Sequence, residues 1–241
     1  MYLADPRSPA IITGVFLMLL ACVCLSLVGI PTVWVVLLAL GFSVVVVAIS
    51  IRCAAGLVRI WIRGEKVTEI DCPRLFNVID GLCLTHGIDP PEVVLLENRS
   101  ANAAVFGSRY SSTLVVTTGA IEVLDLIELE ALIAYAIARC RSGHLVDETS
   151  AALFGRIPPL GLLVRGLRNY DRVIAADLAG AELTHYPPGM QRALKTLTDR
   201  GAAIGHAPLS TSHLWLLCPS GAEATSTHPL VSDRIAALAE L

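Results

Sequence analysis

The chain has 241 residues, enough for one domain of ordinary size together with membrane segments. Hydrophobic residues make up 54% of it and the mean hydropathy is +0.67, which excludes an average soluble domain. The net charge is −3 and no basic patch carries aromatic residues, so we expect no nucleic-acid partner. The seven cysteines are scattered and indicate neither a disulfide framework nor a C-x-x-C metal site.

The apolar residues are concentrated near the N-terminus, where no charged residue occurs between Ile11 and Ile51. One helix of that length would extend about 60 Å, twice the hydrocarbon thickness of a bilayer. Because Gly29 and Pro31 interrupt the run, we predict two spans near 10–30 and 32–51, joined in a two-helix transmembrane hairpin at 1–52. The alternative, a cleaved signal peptide, lacks the expected cationic start and does not explain the second span.

Lys and Arg near the ends of the predicted spans indicate their orientation. Four basic side chains follow the second span within 52–66 and Arg7 precedes the first, whereas the turn between the spans has none. The positive-inside rule then predicts both ends, and the main domain, on the cytoplasmic side of a bacterial inner membrane. Residues 53–70 are predicted to be a juxtamembrane linker, lying either at the lipid headgroups or as a solvated connection.

The remainder, 71–241, alternates helical and strand periodicity and predicts an α+β domain that is mainly helical with a small β-sheet. The predicted elements are a helix at 75–86 ending at Gly87, strands at 93–96, 103–106 and 113–118, helices at 120–140, 168–184 and 189–198, a strand-like run at 214–217, and a closing helix at 232–239. The apolar stretch 151–167 contains two arginines and a Pro-Pro pair. It predicts a surface-lying hairpin or a core helix pair more than a third span.

The segment from Glu128 to Gly143, ELEALIAYAIARCRSG, has the form of a metallopeptidase helix without its chemistry. In zinc peptidases with an H-E-x-x-H helix, two His side chains hold the metal and the Glu is the general base. The corresponding register here has Tyr135, Ala136 and Arg139. Ala has no titratable group, Arg is a permanent cation, and a lone Tyr is a poor zinc ligand.

The flanking sequence resembles the HtpX-type membrane zinc metallopeptidases. From Asn102 the chain reads NAAVFGSRYSSTLVVTTGAIEVLDLIELEALIAYAIAR, similar to that family's NAFATG-like segment, VVVTTGLL-like strand and D-ELEAVLAHELAH-like helix. Downstream, residues 172–177 are similar to its R-E-Y-x-A-D, and 227–238 to its THPPLEERIAAL ending. The resemblance covers roughly 70–241 and extends loosely to the hairpin.

The resemblance implies an HtpX-like peptidase domain at 71–241 with a degenerate site. It places the zinc ligands at Tyr135, Arg139 and Val173 and the general base at Ala136, so none of the family's ligands is retained. We therefore expect no catalytic residue, no metal and no cofactor, since zinc is expected only where the family site is intact. The expected function is that of a membrane-anchored pseudo-peptidase that binds, regulates or scaffolds another protein.

Two other functions are open. The first is a metalloendopeptidase with a relocated metal site, for which His144, Asp147 and Glu148 share one helical face and His185 or His206 would complete the set. The second is a structural subunit of a membrane complex. The segment 128–140 also fits a plain core helix that never held a metal.

The expected partners are the lipid bilayer and a protein or peptide of unknown identity. Main-chain pairing along an exposed strand needs no catalytic residue, so strands 102–107 and 113–118 are the candidate binding edges. The candidate contact residues there are Asn102, Ala103, Phe106, Val115 and Thr117.

A buried arginine needs a partner. We therefore expect Arg139 to pair with Asp177, directly or through Tyr135, and Val173 to pack against Ala136 and the Tyr135 ring. Such a pair would link the two helices in place of the metal.

Overall fold

The computed structural model describes residues 9–26, 32–156, 170–222, 225 and 227–241. The described elements are α1 (Pro9–Ser26), α2 (Thr32–Ile62), β1 (Glu65–Lys66), α3 (Pro73–His86), β2 (Glu92–Leu96), β3 (Ala103–Gly107), β4 (Ser112–Thr117), α4 (Thr118–Val123), α5 (Leu126–Arg141), α6 (Leu145–Phe154), α7 (Tyr170–Thr184), α8 (Pro187–Arg200), a 3-10 turn (Leu209–Leu214) and α9 (Val231–Leu238). The α+β fold predicted from sequence is confirmed, with helices predominating around one small sheet.

The two N-terminal helices, α1 and α2, pack against each other and expose apolar side chains. The stretch Val33–Ile62 in α2 is long and apolar enough to cross a membrane, by length and composition, and Ile11–Leu25 in α1 is a shorter apolar helix. α2 does not end at 52 but continues to Ile62, so the first part of the predicted linker is helical. The helix ends where Arg63 takes a left-handed conformation with a φ of 59°.

The sheet has the strand order β1-β2-β4-β3. β4 is internal: it pairs in parallel with β2 and antiparallel with β3. One face packs on α3 and α5 through Val93, Leu114 and Val116, and the other packs on α2 and Trp215. Both faces are therefore buried, which explains why the strands read as continuous apolar runs.

The predicted helix at 120–140 is two helices, and this is a correction. Asp125 caps α5: its carboxylate accepts the Glu128 backbone N–H at 2.7 Å, and the Glu128 carboxylate accepts the Asp125 N–H at 2.9 Å. This reciprocal capping box satisfies two donors at the start of a helix. It separates α5 from α4, whose own cap is Thr117.

The stretch 151–167 falls largely outside the described residues, since the structure describes nothing between 156 and 170. Its first residues belong to α6, which packs against α2 and the 3-10 turn. The described helices α3, α7 and α9 match the predicted helices at 75–86, 168–184 and 232–239 closely. α8 begins at Pro187, because proline is well tolerated in the first turn of a helix.

Candidate functional site

The residues that stand at the implied zinc positions lie where α5 packs against α7. Tyr135, Ala136 and Arg139 are buried on α5, and Val173 is half-buried on α7. Gly180 lets the helices approach closely, because a Cβ there would lie 2.8 Å from the Tyr135 Cα and N atoms. The expected packing of Val173 against Ala136 and the Tyr135 ring stays a prediction.

The predicted pairing of Arg139 with Asp177 is wrong, because both carboxylate oxygens of Asp177 bind another arginine. Arg234 of α9 donates from Nε to Oδ2 at 2.6 Å and from Nη2 to Oδ1 at 2.7 Å. Both side chains have 0% exposure, and Arg234 Nη1 also donates to the Leu216 carbonyl at 2.8 Å. This fork-to-fork pair, the Asp177–Arg234 pair, ties α7 to α9 and to the loop before it.

Arg139 pairs instead with Glu148 of α6. Its Nη2 donates to Glu148 Oε2 and to the His213 carbonyl, and its Nη1 donates to the Leu214 carbonyl at 2.8 Å. Burial would by itself raise the pKa of Glu148, but the Arg139 guanidinium holds that pKa below its usual range. Arg172 approaches the other oxygen of Glu148 at 3.9 Å. The Arg139–Glu148 pair therefore ties α5 to α6 and to the 3-10 turn.

The Tyr135 ring connects the two ion pairs. The guanidinium carbons of Arg139 and Arg234 lie 6.0 and 5.9 Å from its centre, at the outer limit of cation–π attraction. Among the described residues its buried hydroxyl makes no well-formed hydrogen bond, and burial raises its pKa. The ring contact to both arginines is not the hydrogen-bonded link from Arg139 through Tyr135 to Asp177 that we expected.

His228 is buried beside this network. Its Nε2 donates to the Trp215 carbonyl at 3.0 Å, so its Nδ1 is left to accept from the Thr227 hydroxyl at 2.9 Å. That arrangement suits a neutral imidazole. Burial, reinforced by the charge of Arg234, lowers the pKa of His228 to about 4.

Several curated proteins are similar to this chain over most of its length. A protein named protease HtpX homolog from Dictyoglomus turgidum is 27% identical over 213 residues, covering 71% of this chain and 70% of the relative. Proteins of the same name from Tropheryma whipplei strain Twist and Salinibacter ruber are 25% and 28% identical, covering 86% and 74% of this chain and 84% and 78% of themselves. The chain is HtpX-like. No family model and no solved structure matches it.

The residues present in this HtpX-like chain do not fit a zinc ion at the family position. Two guanidinium groups lie there, and a guanidinium has donors but no acceptor lone pair to offer a metal. Within the described residues, no group of three or more His, Cys, Asp or Glu is arranged to hold a metal ion. The position is filled by side chains that bind one another.

The relocated metal set does not come together among the described residues either. His144, Glu148 and His185 line one cleft, but the Glu148 carboxylate is bound by Arg139. His206 lies elsewhere, at the end of α2, where its Nε2 donates to the Ile62 carbonyl at 3.1 Å.

The same cleft opens beside the ion pairs, and it is named here the α5–α7 cleft. It has a volume of about 740 Å³. Arg141 and Arg172 line it together with small residues of α7, among them Ala175 and Ala179. It gives solvent access to the Arg139–Glu148 pair but not to the fully buried Asp177–Arg234 pair.

The predicted binding edges are not open edges, which is a second correction. β4, with Val115 and Thr117, is internal to the sheet. β3 ends the sheet, but the Ala103 carbonyl accepts the Leu216 N–H at 2.8 Å, and the Gly107 N–H donates to the Thr149 hydroxyl at 2.9 Å. Like the rest of β3, Phe106 is buried.

Asn102 has a structural role in place of the predicted binding role. Its Nδ2 donates to the carbonyls of Ala202 and Leu217, and its Oδ1 accepts the N–H of Ala103 and of Leu217. The side chain therefore holds three chain segments together, and no bonding capacity is left for a peptide.

Sequence reasoning missed Arg234 and the pairing role of Glu148. Arg234 carried no local signal of its pairing: no acidic residue lies three or four positions away in its helix, and its burial follows only from the tertiary structure. Glu148 was considered only as a metal ligand, because its position facing Arg139 depends on how α6 folds back after α5.

Proposed function

We propose that this HtpX-like protein is a membrane-anchored pseudo-peptidase that binds a partner protein and regulates or scaffolds it. The observation that supports the proposal most strongly is the Arg139–Glu148 pair. The side chain at an implied zinc-ligand position is bound internally, to a carboxylate and to two backbone carbonyls. Its exposed fraction is 8%.

Zinc peptidases hydrolyse an amide with a metal-bound water and a nearby general base. The described residues at the implied zinc position supply neither a ligand set for the metal nor a base. Ala136 has no group that accepts a proton, and the charges of Arg139 and Arg234 oppose the binding of a divalent cation. Removing these cations would in turn leave Glu148 and Asp177 unpaired, so the present arrangement stabilises itself without a metal.

The proposed anchor is the α1–α2 pair, with residues 1–52 as the transmembrane hairpin and 71–241 as the HtpX-like domain. α2 carries Arg52 and Arg59 near its C-terminal end, which favours that end on the cytoplasmic side. With the seven native cysteines replaced by serine, a membrane-impermeant maleimide added to intact cells should label Thr32→Cys and leave Ser220→Cys unlabelled. The reverse labelling pattern would refute this orientation.

The proposed partner surface is the α5–α7 cleft, since β4 is internal to the sheet and the edge of β3 is already bonded at Ala103 and Gly107. Arg141 and Arg172 give it a cationic rim suited to an acidic or carboxylate-bearing peptide. A photo-crosslinking residue at Ala179, inside the cleft, should capture the partner in native membranes. The matched control is the same residue at Leu84, which is 83% exposed on α3. Equal capture at both positions would refute the cleft as the binding surface.

A proteolysis assay separates the pseudo-peptidase from the relocated enzyme. Purified protein supplied with zinc should leave casein and model peptides intact. Cleavage that disappears in His144→Ala would establish the enzyme instead. The structural-subunit alternative predicts constant co-purification with fixed stoichiometry, whereas a regulator is expected to associate reversibly with its partner.

A further inference from the structure

A second cleft lies at the C-terminal end of α2, apart from the ion pairs. Its lining includes Trp61, Arg63, Arg156, His206 and Ser210, and its volume is about 570 Å³. This cleft is named here the juxtamembrane cleft. His206 fixes one wall by donating to the last carbonyl of α2, that of Ile62.

The cleft contains two arginines that have no carboxylate partner within the described residues. Arg63 and Arg156 are both exposed, whereas the nearby Arg59 is neutralised by Glu92 at 2.6 Å. The Arg156 guanidinium lies 4.9 Å from the centre of the Trp61 ring, which positions it at the cleft wall. Two uncompensated guanidinium groups at one cavity favour an anion, and phosphate matches their fork geometry best.

Ser210 supplies an independent sign of a ligand. The residue is 7% exposed, and its Oγ makes no hydrogen bond within the part of the chain that the structure describes. A buried hydroxyl left without a partner costs about 1–3 kcal/mol. A ligand oxygen in the cleft would remove that penalty.

The backbone at Arg63 is a third observation. Arg63 ends α2 with a φ of 59°, a conformation that glycine adopts without strain and that costs other residues about 1–2 kcal/mol. An arginine at this position is unfavourable for the turn itself. Strained residues of this kind are often retained at ligand sites.

The position of the cleft along α2 indicates where the anion comes from. Trp61 lies near the C-terminal end of α2, beyond the proposed span that ends near 51 and on the side of the basic residues that follow it. Trp and Arg side chains are enriched where a helix leaves the membrane on that side. Ile60 and Leu209, 68% and 70% exposed, lie on the rim of the same cleft and offer apolar surface to an acyl chain.

From these observations we propose that the juxtamembrane cleft binds the phosphate of an anionic phospholipid. Arg63 and Arg156 bind the phosphate oxygens, the Ser210 hydroxyl donates to one of them, and the acyl chains lie along Ile60 and Leu209. The inference rests on the membrane anchoring proposed above, because only an anchored α2 brings the cleft to the headgroups. Bound lipid would then fix the domain relative to the membrane surface.

Native mass spectrometry of the full-length protein in detergent tests the site. Phosphatidylglycerol should be retained in preference to phosphatidylcholine, and Arg63→Gln combined with Arg156→Gln should weaken its binding about tenfold. The matched control combines Arg99→Gln with Arg109→Gln, which removes the same charge from exposed positions and should leave binding unchanged. Ser210→Ala keeps both cations and should weaken binding about threefold, and thermal melting of each variant checks its folding.

Three results would overturn the proposal. They are equal retention of the two lipids, equal weakening in the control pair, and full displacement of phosphatidylglycerol by millimolar inorganic phosphate. The last would assign the cleft to a free anion. Because lipid retention is measured in detergent, the result does not depend on the orientation of the protein in the membrane. Alkaline carbonate extraction of membranes tests anchoring separately: release of the chain refutes the anchor, whereas retention without lipid preference refutes the cleft alone.

Discussion

The two buried ion pairs differ in what surrounds them, although both contact the ring of Tyr135. The Asp177–Arg234 pair has two short hydrogen bonds and no exposure, and it joins α7 to α9. The Arg139–Glu148 pair has one hydrogen bond between its charges and borders the α5–α7 cleft, with exposed fractions of 8% and 14%. Arg172 adds a third charge near the cleft.

The difference divides the contact around Tyr135 into a rigid part, the Asp177–Arg234 pair, and a part that can respond to solvent or ligand, the Arg139–Glu148 pair. Loss of either partner of a fully desolvated pair is strongly destabilising, because the remaining group is neither paired nor solvated. A pair at a cleft can exchange partners with solvent or ligand. We therefore expect the Asp177–Arg234 pair to govern stability, and the Arg139–Glu148 pair to couple stability to whatever occupies the cleft.

The largest effect is expected for Arg234→Leu. It leaves the Asp177 carboxyl buried without its partner, so the free energy of unfolding should fall by about 3–5 kcal/mol. Adding Asp177→Leu should restore much of the loss, because no unpaired charge remains. Arg200→Ala, at an exposed ion pair 3.8 Å long, is the control and should change stability by less than about 0.5 kcal/mol. Similar melting of Arg234→Leu and the control would contradict the structural role of the pair.

Arg139→Ala should destabilise less, by about 2–3 kcal/mol, because Glu148 can still reach solvent and Arg172. The same variant should change partner crosslinking at Ala179, whereas Arg234→Leu at permissive temperature should not. Denaturant unfolding and crosslink yield measured on the same preparations check this. If Arg139→Ala lowers the free energy of unfolding as much as Arg234→Leu does, then the cleft does not solvate the unpaired Glu148, and the two ion pairs do not differ as proposed.

The stability should also depend on pH through His228. Its folded pKa is about 4, below the usual value of 6.5, so the neutral form favours the folded state. The stabilisation is complete above about pH 6.5 and is lost as the pH falls toward 4. The loss amounts to about 2 kcal/mol at pH 5. His228→Gln should flatten this part of the curve of unfolding free energy against pH. An unchanged slope in the variant would show that another group titrates there.

The smallest effect is expected for Gly180→Ala, which tests how closely the helices meet at Tyr135. Overpacking costs about 1–3 kcal/mol and the better helix propensity returns about 1, so a net loss of about 1 kcal/mol should remain. Gly81→Ala on α3, where a Cβ meets nothing within 4 Å, should instead be stabilising. Melting temperatures of the two variants test this: the melting temperature of Gly180→Ala should fall and that of Gly81→Ala should rise. Equal stabilisation would mean that α7 can move away from Tyr135.

Much of the fold could be predicted because its signals are local. The helix ending at Gly87, the buried strands and the apolar N-terminal stretch each follow from periodicity and breakers within a few residues. The division at Asp125 was equally local, since the D-x-x-E capping signal precedes α5. Overlooking it merged two helices into one.

The partners within the site could not be predicted in the same way. The choice between Asp177 and Glu148 for Arg139 depends on how α6 folds back directly after α5, and on the position of α9, which comes from the C-terminal part of the sequence. From the sequence, Asn102 was interpreted as an edge residue. Its actual bonding partners, Ala202 and Leu217, lie far along the chain and leave no local signal. Such pairings are set by tertiary packing and are not encoded in the spacing of nearby residues.

Two internal ion pairs lie at the implied zinc position, and zinc stoichiometry tests most directly whether they exclude the metal. Full-length protein purified without chelators and then equilibrated with excess zinc should retain far less than one equivalent by elemental analysis after desalting. Its melting temperature should be the same with zinc and with EDTA, because no folded-state site gains free energy from the ion. One tightly held zinc per chain, lost on His144→Ala, would contradict the account and establish a relocated metal site.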